Sequence, residues 1–528
     1  MYLLDKLRMY GTASAMSSKQ SSVSREDAVK IAKHLGGTRL LSQGFENILK
    51  HIVVSLQDAN TQVRSKSVKA LTAVVDKDWT VLGESMVKRA VAERFRDKQI
   101  SVREAAIDLV GRFVLVRPDL TDQYYDVFMD RILDSGLSVR KRVIKTLRDI
   151  CIQQPQYPRV PEICLRLLRR VNDVEGIRDL VTKSFYQMWF QPPGDTWGTP
   201  KDRCAILAER AVTIANVLSL DNGTTNMQTQ TSFQELLRNF KGLGTGGAFQ
   251  SACKEMMKGL SEHIISQEEE MSQQAGTAAG RESSSNKMVA SFLALQLFCE
   301  VCPELGTEHI PTLVPHLKTS SKGGTKAEVK NAFHVVYYTA KILCGTIPLS
   351  KKLGPDMLKG LEATLIQLVI KATATAVVQA SVECLSCCVK LTKNMPLITE
   401  TLQKFYMYLK DEADGKHAGQ DNKRLPWILR SLFVCGLFCQ HFDFSSAQQK
   451  SAGSASDEQL APDSIRDVVF MVQMHFASHH VESVQLKAYA GLGYLCTRHP
   501  HYMVRLRSPP PQGSPRAPCF VLRRCSEP

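Results

Sequence analysis

A short motif recurs four times within the first 190 residues of the 528-residue chain. In each copy an Asp is followed by a short polar loop, then by Val or Ile, and then by an Arg. Successive arginines lie 39, 37 and 38 residues apart. The four segments are 56–75, 95–114, 132–151 and 170–189, and their arginines are Arg64, Arg103, Arg140 and Arg178. A period near 40 residues is typical of chains built from stacked repeats of two helices.

Apolar residues within each copy fall at helical spacing. In the third copy Val139, Val143, Leu147 and Ile150 recur at steps of three and four residues, which places them on one face of a helix. A single helix pair cannot bury such a face, so neighbouring pairs must stack to form a core. The sequence therefore predicts an all-α solenoid of the HEAT or armadillo type, a curved rod of stacked helix pairs with disordered loops.

The repeated Asp and Arg are predicted to form the framework of the repeats. The Asp precedes the helix, where its carboxylate can cap free backbone N–H groups and lies at the positive end of the helix dipole. The Arg recurs in every copy, which favours a role in packing over a role in binding. We expect each guanidinium to bridge to the loop Asp of a neighbouring repeat through bidentate hydrogen bonds. The framework residues are Asp58, Arg64, Asp97, Arg103, Asp134, Arg140, Asp173 and Arg178.

Composition along the chain predicts four regions. Regular repeats occupy the first part, more degenerate helical repeats follow, and polar Gly/Ser-rich stretches between them are expected to be disordered loops. The final stretch is rich in proline, which argues against a packed helix. The predicted regions are a disordered N-terminus at 1–20, regular repeats at 21–200, degenerate repeats at 201–503 with disordered loops at 266–287, 411–424 and 445–459, and a disordered tail at 504–528.

A basic segment stands out within the third and fourth repeats. The chain carries a net charge of +15, and residues 135–170 hold nine Lys or Arg against two acids. On a helix, Lys141, Lys145 and Arg148 form one stripe, with Arg142 at its edge, away from the apolar face. The next helix adds further basic residues, and a smaller stripe lies on the first repeat. These additional candidates for DNA binding are Arg166, Arg169 and Arg170, and then Lys66 and Lys69.

Two interpretations of this basic segment remain open. It can be a surface that follows the phosphates of DNA, which needs several Lys or Arg on one face and no base-reading residues. It can equally be the solvated face of a packed helix. A surface for an acidic protein partner belongs with the first interpretation, because it requires the same exposed charge.

Motifs that are typical of enzymes, metal sites and membrane proteins are missing from the sequence. There is no GxxxxGK[ST] phosphate loop, no GxSxG motif and no HExxH motif. Cys299 and Cys302 have CxxC spacing, and Cys384, Cys387 and Cys388 cluster, but both groups lie in apolar helical runs and lack a second ligand pair. We therefore predict no catalysis, no metal and no cofactor. No apolar run suggests a membrane span, and the N-terminus has no signal-peptide core, so an intracellular protein with reduced cysteines is expected.

Three long phrases carry a resemblance to a known family. They are SGLSVRKRVIKTLRDICIQQP, followed by RRVNDVEGIRDLV, in the basic repeats, LRSLFVCGLFCQHFDF at 429–444, and LKAYAGLGYLCTRHPHYM at 486–503. With DAVKIAKHLG near the start, the resemblance covers residues 20–503. The chain resembles the Nipped-B/adherin family, the cohesin loaders, and in particular a fragment of their C-terminal HEAT-repeat region.

The resemblance implies a function in the nucleus. Members of the family load the cohesin ring onto chromatin by gripping DNA together with the ring's ATPase heads and its kleisin subunit, and they stimulate the cohesin ATPase. It further implies a Mau2-type partner, although the family region that binds this partner is not recognisable here. The Pro-rich stretch after Met503 departs from the continuing helices of the family. The resemblance therefore does not by itself extend the family's activity to this chain alone.

A second class of function, protein-binding scaffolds, is compatible with the same stacked-repeat fold. General protein-binding scaffolds, such as nuclear transport receptors, are also built from stacked helix pairs. Receptors that hold basic cargo tend to be acidic, whereas this chain is basic with a pI near 9.1. The charge therefore favours the DNA-associated function over the transport scaffold.

Overall fold

The computed structural model of the chain is helical throughout the part it describes, and no strand occurs within that part. The residues described are 24–37, 40–192, 198–220, 226–242, 246–273, 278–318, 325–351, 353–415, 421–444 and 462–507. The chain divides into two compact units, Met1–Pro193 and Gly194–Pro528. The predicted all-α class is confirmed.

The first unit consists of helix pairs joined by short turns. Two single turns of 3-10 helix, Trp79–Gly83 and Pro118–Leu120, precede α4 and α6 respectively. The helices are α1 (Arg25–Gly37), α2 (Leu40–Ser55), α3 (Thr61–Val75), α4 (Ser85–Arg94), α5 (Ile100–Val116), α6 (Thr121–Arg131), α7 (Leu137–Gln153), α8 (Val160–Leu168) and α9 (Glu175–Phe190).

Stacking of every second helix builds the core of the first unit. Helix α3 packs on α5, α5 on α7 and α7 on α9, so the second helices of successive repeats form one continuous layer. The apolar stripe predicted on α7, from Val139 to Ile150, is buried. Between the first helices of the pairs, the rings of Phe95 and Phe128 meet edge to face with centroids 6.1 Å apart. Each such buried side chain stabilises the fold by roughly 1.5–3 kcal/mol, and only stacking of neighbours provides this burial.

The second unit continues the same architecture with longer helices. Two of them begin with a capping box, in which Thr199 pairs with Asp202 and Thr325 with Glu328. The helices are α10 (Pro200–Ser219), α11 (Asn226–Gly242), α12 (Gly246–Gln273), α13 (Ala278–Val301), α14 (Pro303–Gly306), α15 (Ile310–Leu313), α16 (Lys326–Thr346), α17 (Pro355–Lys371), α18 (Thr375–Thr392), α19 (Met395–Ala413), α20 (Asp421–His441), α21 (Pro462–Phe476), α22 (Glu482–Arg498) and α23 (His501–Arg507).

A continuous layer also runs through the second unit, from α13 to α16, α18, α20 and α22. Within it, α18 is long and apolar enough to cross a membrane by length and composition alone. Its residues Val377, Val378 and Leu385 are buried, and it packs against α16, α17 and α20. Helix α18 is therefore the core helix of a stacked layer, since a helix that is packed on several sides is apolar on each of them.

The predicted loop at 266–287 is wrong, because most of this stretch is helical. Helix α12 continues through Gln273 and α13 begins at Ala278. Two serines of the stretch are buried with partners: Ser284 donates to Glu270 at 3.1 Å, and Ser285 accepts from the amide of Asn331 at 3.1 Å. Hydrogen bonds between helices satisfy these side chains, so a composition that is typical of loops is accommodated in packed helices.

Other predicted disordered segments are helical where the structure describes them. Helix α19 continues to Ala413 and α20 begins at Asp421, so both ends of the predicted loop at 411–424 are helical. Helix α23 extends to Arg507, four residues into the predicted tail. The predicted N-terminus at 1–20, the loop at 445–459 and the remainder of the tail lie outside the described residues.

Candidate nucleic-acid interface

The repeated Asp lies just before its helix and accepts a backbone N–H there, and the residue two positions later is the N-cap. The N-cap residues of α5 and α7 are Gln99 and Gly136. Asp97 accepts the backbone N–H of Gln99 at 2.9 Å, and Asp134 accepts that of Gly136 at 2.8 Å. The Asp therefore closes a turn two residues long before the helix begins, since an Asp side chain readily binds the backbone two residues on. The turn leaves the carboxylate facing the preceding repeat.

Arginines of one repeat bind the aspartates of the next repeat through both carboxylate oxygens. Arg64 donates from Nε and Nη2 to the two oxygens of Asp97 at 2.8 and 2.9 Å. Arg103 donates in the same way to Asp134 at 2.9 and 2.6 Å. The third nitrogen of each guanidinium binds backbone carbonyls of its own loop, those of Asp58 and Asp97 among them. We call this series of pairs the Arg–Asp ladder, and its geometry matches the spacing argument from the sequence.

The ladder weakens at its third step. Arg140 still binds the carbonyl of Asp134 at 3.0 Å, but its Nη2 lies 3.6 Å from the nearer oxygen of Asp173. The fourth motif is one residue shorter between Asp and Arg than the others. Asp173 consequently accepts the N–H of the adjacent Val174 instead of a residue two further on. Arg178 is exposed, and the structure gives it no ion pair within the residues described.

A second arginine lies three residues before three of the four aspartates and joins the ladder. Arg94, Arg131 and Arg170 lie 3.3, 3.2 and 3.5 Å from Asp97, Asp134 and Asp173 respectively. Arg94 and Arg131 were not among the predicted framework residues, although their constant spacing from the Asp was a usable signal. Arg170, which was a candidate for DNA binding, is thus paired with the framework residue Asp173.

Burial and hydrogen bonding act in opposite directions on the ladder aspartates. Burial alone raises the pKa of the Asp134 carboxyl, whereas the bonds from Arg103 and from the N–H of Gly136 lower it. The net result is a pKa below the usual value of an aspartate. Asp97 shows the same balance, with Arg64 and the N–H of Gln99 as donors.

The depressed pKa of Asp134 predicts how this pair depends on pH. We expect Asp134→Asn to be less stable than the wild type at neutral pH, and the difference to shrink below about pH 4. The contribution of a carboxyl with a depressed folded-state pKa is present above its unfolded pKa and is lost as the pH falls through the folded value. Urea unfolding of both proteins at several pH values measures this. A difference that stays constant down to about pH 2.5 would contradict the prediction.

Acidic residues of the neighbouring helix neutralise part of the predicted basic stripe on α7. The Nε of Arg142 lies 2.7 Å from Glu104, and its Nη1 binds Asp108, both on α5. Arg148 is paired with its neighbour Asp149 at 2.7 Å. The acids on the neighbouring helix cannot be read from the sequence of α7 alone. Fewer basic side chains of this surface are therefore unpaired than the sequence suggested.

The remaining candidates for DNA binding are four lysines and two arginines. Lys145 and Arg166 are exposed and Lys141 is half-buried, and no ion pair joins any of them to another described residue. The ammonium of Lys141 lies beside Gly176, in the turn at the start of α9. Arg169 is half-buried. Lys66 and Lys69 are exposed on α3, two repeats away from α7.

Cysteines with metal-like spacing lie inside the helical core. Cys299 and Cys302 are buried, as are Cys384 and Cys388. Within the part of the chain that the structure describes, no group of three His, Cys, Asp or Glu side chains is arranged to hold a metal ion. Burial raises the pKa of the Cys299 thiol, which favours its neutral form, and enclosed cysteines of this kind pack as small apolar side chains.

Comparison with known proteins agrees with the geometry of the stack. A family model for the HEAT repeat associated with sister chromatid cohesion matches residues 69–110. The C-terminal fragment of the Chaetomium thermophilum cohesin loader SCC2 superposes with a TM-score of 0.68, at 18% identity, over 94% of this chain and 35% of that one. Stacked helix pairs, the Arg–Asp ladder and these two matches define a HEAT-repeat solenoid.

Sequence similarity extends over nearly the whole chain. The Nipped-B-like proteins of Mus musculus and Homo sapiens are each 35% identical over 500 residues, which is 93% of this chain and 17% of theirs. The Nipped-B protein of Drosophila melanogaster is 32% identical over 530 residues, 96% of this chain and 24% of its own. The chain belongs to the Nipped-B family of sister chromatid cohesion proteins, and it spans about a fifth of the length of these relatives.

Proposed function

We propose that this chain is a HEAT-repeat scaffold that takes part in loading the cohesin ring onto chromatin. The observation that supports this most is its similarity to Nipped-B-like proteins over 93% of its length. Two yeast relatives are named sister chromatid cohesion proteins. A role in cohesion places the chain on chromosomes in the nucleus. The same similarity favours this function over the transport-receptor alternative.

We propose that the chain acts by binding its partners, and that any ATP hydrolysis is catalysed by those partners. The partners we propose are the cohesin ATPase heads, the kleisin subunit and DNA, with a Mau2-type protein joining longer members of the family. Stacked helix layers suit this work, because small shear between neighbouring pairs changes the curvature of a solenoid while each pair stays intact. In this proposal the chain holds DNA against the ATPase heads and thereby stimulates them.

The proposed contacts with DNA come from a smaller set of residues than the sequence suggested. Lys141, Lys145 and Arg166 are retained, because no carboxylate of the described residues pairs with them. Arg142, Arg148 and Arg170 are assigned to ion pairs within the protein instead. Lys66 and Lys69 form a separate, weaker candidate patch on α3. Such contacts would bind phosphate without reading sequence.

The salt dependence of DNA binding tests this set. In the variant Lys141→Glu/Lys145→Glu we expect weaker binding and a log–log salt slope reduced by about two, since each lost phosphate contact removes nearly one released counterion. Fluorescence anisotropy of labelled duplex DNA over a series of salt concentrations measures both quantities.

The matched control is Lys359→Glu/Lys371→Glu, which makes the same charge change at two exposed lysines of α17. If the α7 lysines contact phosphate, the control lowers the affinity through general repulsion but leaves the slope of the wild type. Equal salt slopes for all three proteins would mean that the lysines of α7 do not contact DNA. The loading proposal would then depend on protein partners alone.

Binding of cohesin subunits tests the proposal on the protein side. Purified chain immobilised on a surface is expected to capture a complex of cohesin ATPase heads and kleisin in the absence of DNA. A transport receptor of similar size, taken through the same assay, supplies the background. Capture no higher than this background would favour the general-scaffold alternative.

A further inference from the structure

Two cysteines on adjacent layers of the second unit lie side by side. The sulfur of Cys344 on α16 is 3.6 Å from the sulfur of Cys387 on α18. One turn earlier on the same two helices, Lys341 donates to Glu383 at 2.6 Å. Because both numbers rise together from one contact to the next, the two helices run in the same direction here. The sulfur pair therefore joins two successive repeats at a defined register.

Exposure distinguishes this pair from the other thiols. Thirteen cysteines fall within the described residues, and all but Cys204, Cys344 and Cys387 are buried. Cys204 has a carboxylate neighbour, since its thiol donates to Glu255 at 3.0 Å. The partly exposed thiols thus comprise one that faces a carboxylate and two that face each other. A small solute can reach these two, whereas Cys384 and Cys388 on the same helix are fully enclosed.

The electrostatics assign different roles to the two sulfurs. The hydrogen bond between the two sulfurs lowers the pKa of Cys387 to about 7, against the opposing effects of burial and of the Glu383 charge, and the charge of Lys390 acts in the same direction as the bond. The same bond and burial raise the pKa of Cys344. Since the thiolate is the reactive form of cysteine, Cys387 is the nucleophile, and Cys344 is the thiol that attacks the oxidised sulfur in the second step.

We propose that Cys344 and Cys387 form a reversible disulfide when the protein meets a peroxide, and that this bond locks α16 to α18. The Cys387 thiolate attacks one oxygen of hydrogen peroxide, the O–O bond breaks, and the hydroxide that leaves takes up a proton to become water. Cys344 then attacks the sulfur of the resulting sulfenic acid, the S–O bond breaks, and a second water leaves. Two thiols are oxidised and one peroxide is reduced to two waters.

The bond requires the two sulfurs to move closer. A disulfide needs sulfur atoms about 2.05 Å apart, so the pair, which is 3.6 Å apart, must approach by roughly 1.5 Å. The bond would restrain the shear between two repeats, which is the motion by which a solenoid changes its curvature. A cellular dithiol or glutathione would reverse it by thiol–disulfide exchange.

Oxidation of the full 528-residue chain tests the proposal. The protein is treated with hydrogen peroxide, remaining thiols are alkylated, and tryptic peptides are identified by mass spectrometry without reduction. We expect a cross-link between peptides 342–351 and 372–390, with fragment ions that place it on Cys387, and its loss on treatment with dithiothreitol. In Cys344→Ser the cross-link is absent and Cys387 stops at the sulfenic or sulfinic acid. The matched control Cys204→Ser keeps the cross-link.

A second measurement does not depend on the variants. Under native conditions at neutral pH, iodoacetamide should alkylate Cys387 at least about tenfold faster than Cys204, whose pKa the neighbouring Glu255 raises. A cross-link that runs through Cys384 or Cys388 would overturn the assignment. Equal alkylation rates for Cys204 and Cys387 would overturn the assignment of Cys387 as the nucleophile, and a peroxide-treated protein without any cross-link would overturn the proposal itself.

Discussion

Replacing Asp134 by alanine is expected to lower the free energy of unfolding of the first unit by about 3–5 kcal/mol, the cost of leaving one member of a buried ion pair without its partner. Asp134 is 4% exposed and Arg103 is 6% exposed. The substitution removes both carboxylate oxygens from Arg103 and the acceptor for the N–H of Gly136. The guanidinium would remain enclosed without a counter-charge, and the turn before α7 would lose its closing bond.

Amide hydrogen exchange and urea unfolding measure this effect together. Exchange is needed because stacked repeats can open separately, so a single unfolding transition does not describe every repeat. Amides of α5 and α7 should lose the most protection. The control is Arg89→Ala, which removes an exposed ion pair with Glu93 on α4 and should leave the exchange of α5 and α7 unchanged. If the two variants lose the same protection, the Arg–Asp ladder does not stabilise the stack.

A methyl group added at Gly436 is expected to destabilise the second unit by about 1–3 kcal/mol, because a packed core cannot take up the extra volume without moving backbone. A Cβ at this position would lie 2.5 Å from the Cα of Gly491 on the facing helix. Helices α20 and α22 meet there backbone to backbone. Leu432 and Phe438 are fully buried on either side of Gly436, so the helices can separate only by opening the core.

The matched control for Gly436→Ala is Gly493→Ala on α22. No atom lies within 4 Å of a Cβ built at Gly493. Alanine is preferred over glycine inside a helix by about 1 kcal/mol, so this variant should be slightly more stable than the wild type. Urea unfolding, combined with hydrogen exchange of residues 421–507, measures whether each substitution raises or lowers the free energy of unfolding. If Gly436→Ala is as stable as Gly493→Ala, the helices are packed more loosely at Gly436 than the contact distance indicates.

The features that follow from the repeat were predictable from the sequence. A constant period places equivalent residues of neighbouring repeats side by side, so the partner of Arg64 could be named as the next Asp without a structure. The apolar stripe from Val139 to Ile150 is a property of one helix and was equally accessible. That Asp134 would accept a backbone N–H just before its helix was also accessible, but the residue at which α7 begins was not, because the exact start of a helix depends on turn geometry that residue types do not fix.

Features that depend on contacts between helices were not predictable in this way. Arg142 lies beside Glu104 and Asp108 only because α5 and α7 stack in one register, and no pattern on α7 alone carries that information. Ser284 and Ser285 suggested a loop, yet partners on neighbouring helices allow them to be buried in α13. The contact between Gly436 and Gly491 leaves no signal in either helix, since an isolated glycine is compatible with many causes.

The rate of ATP hydrolysis by cohesin tests the central proposal most directly. Cohesin ATPase heads with kleisin and duplex DNA are incubated with and without the purified chain, and phosphate release is followed. We expect the chain to raise the rate, and Lys141→Glu/Lys145→Glu to raise it less in the presence of DNA while matching the wild type in its absence. A rate that stays the same when a saturating amount of bound chain is added would contradict a role of this chain in cohesin loading.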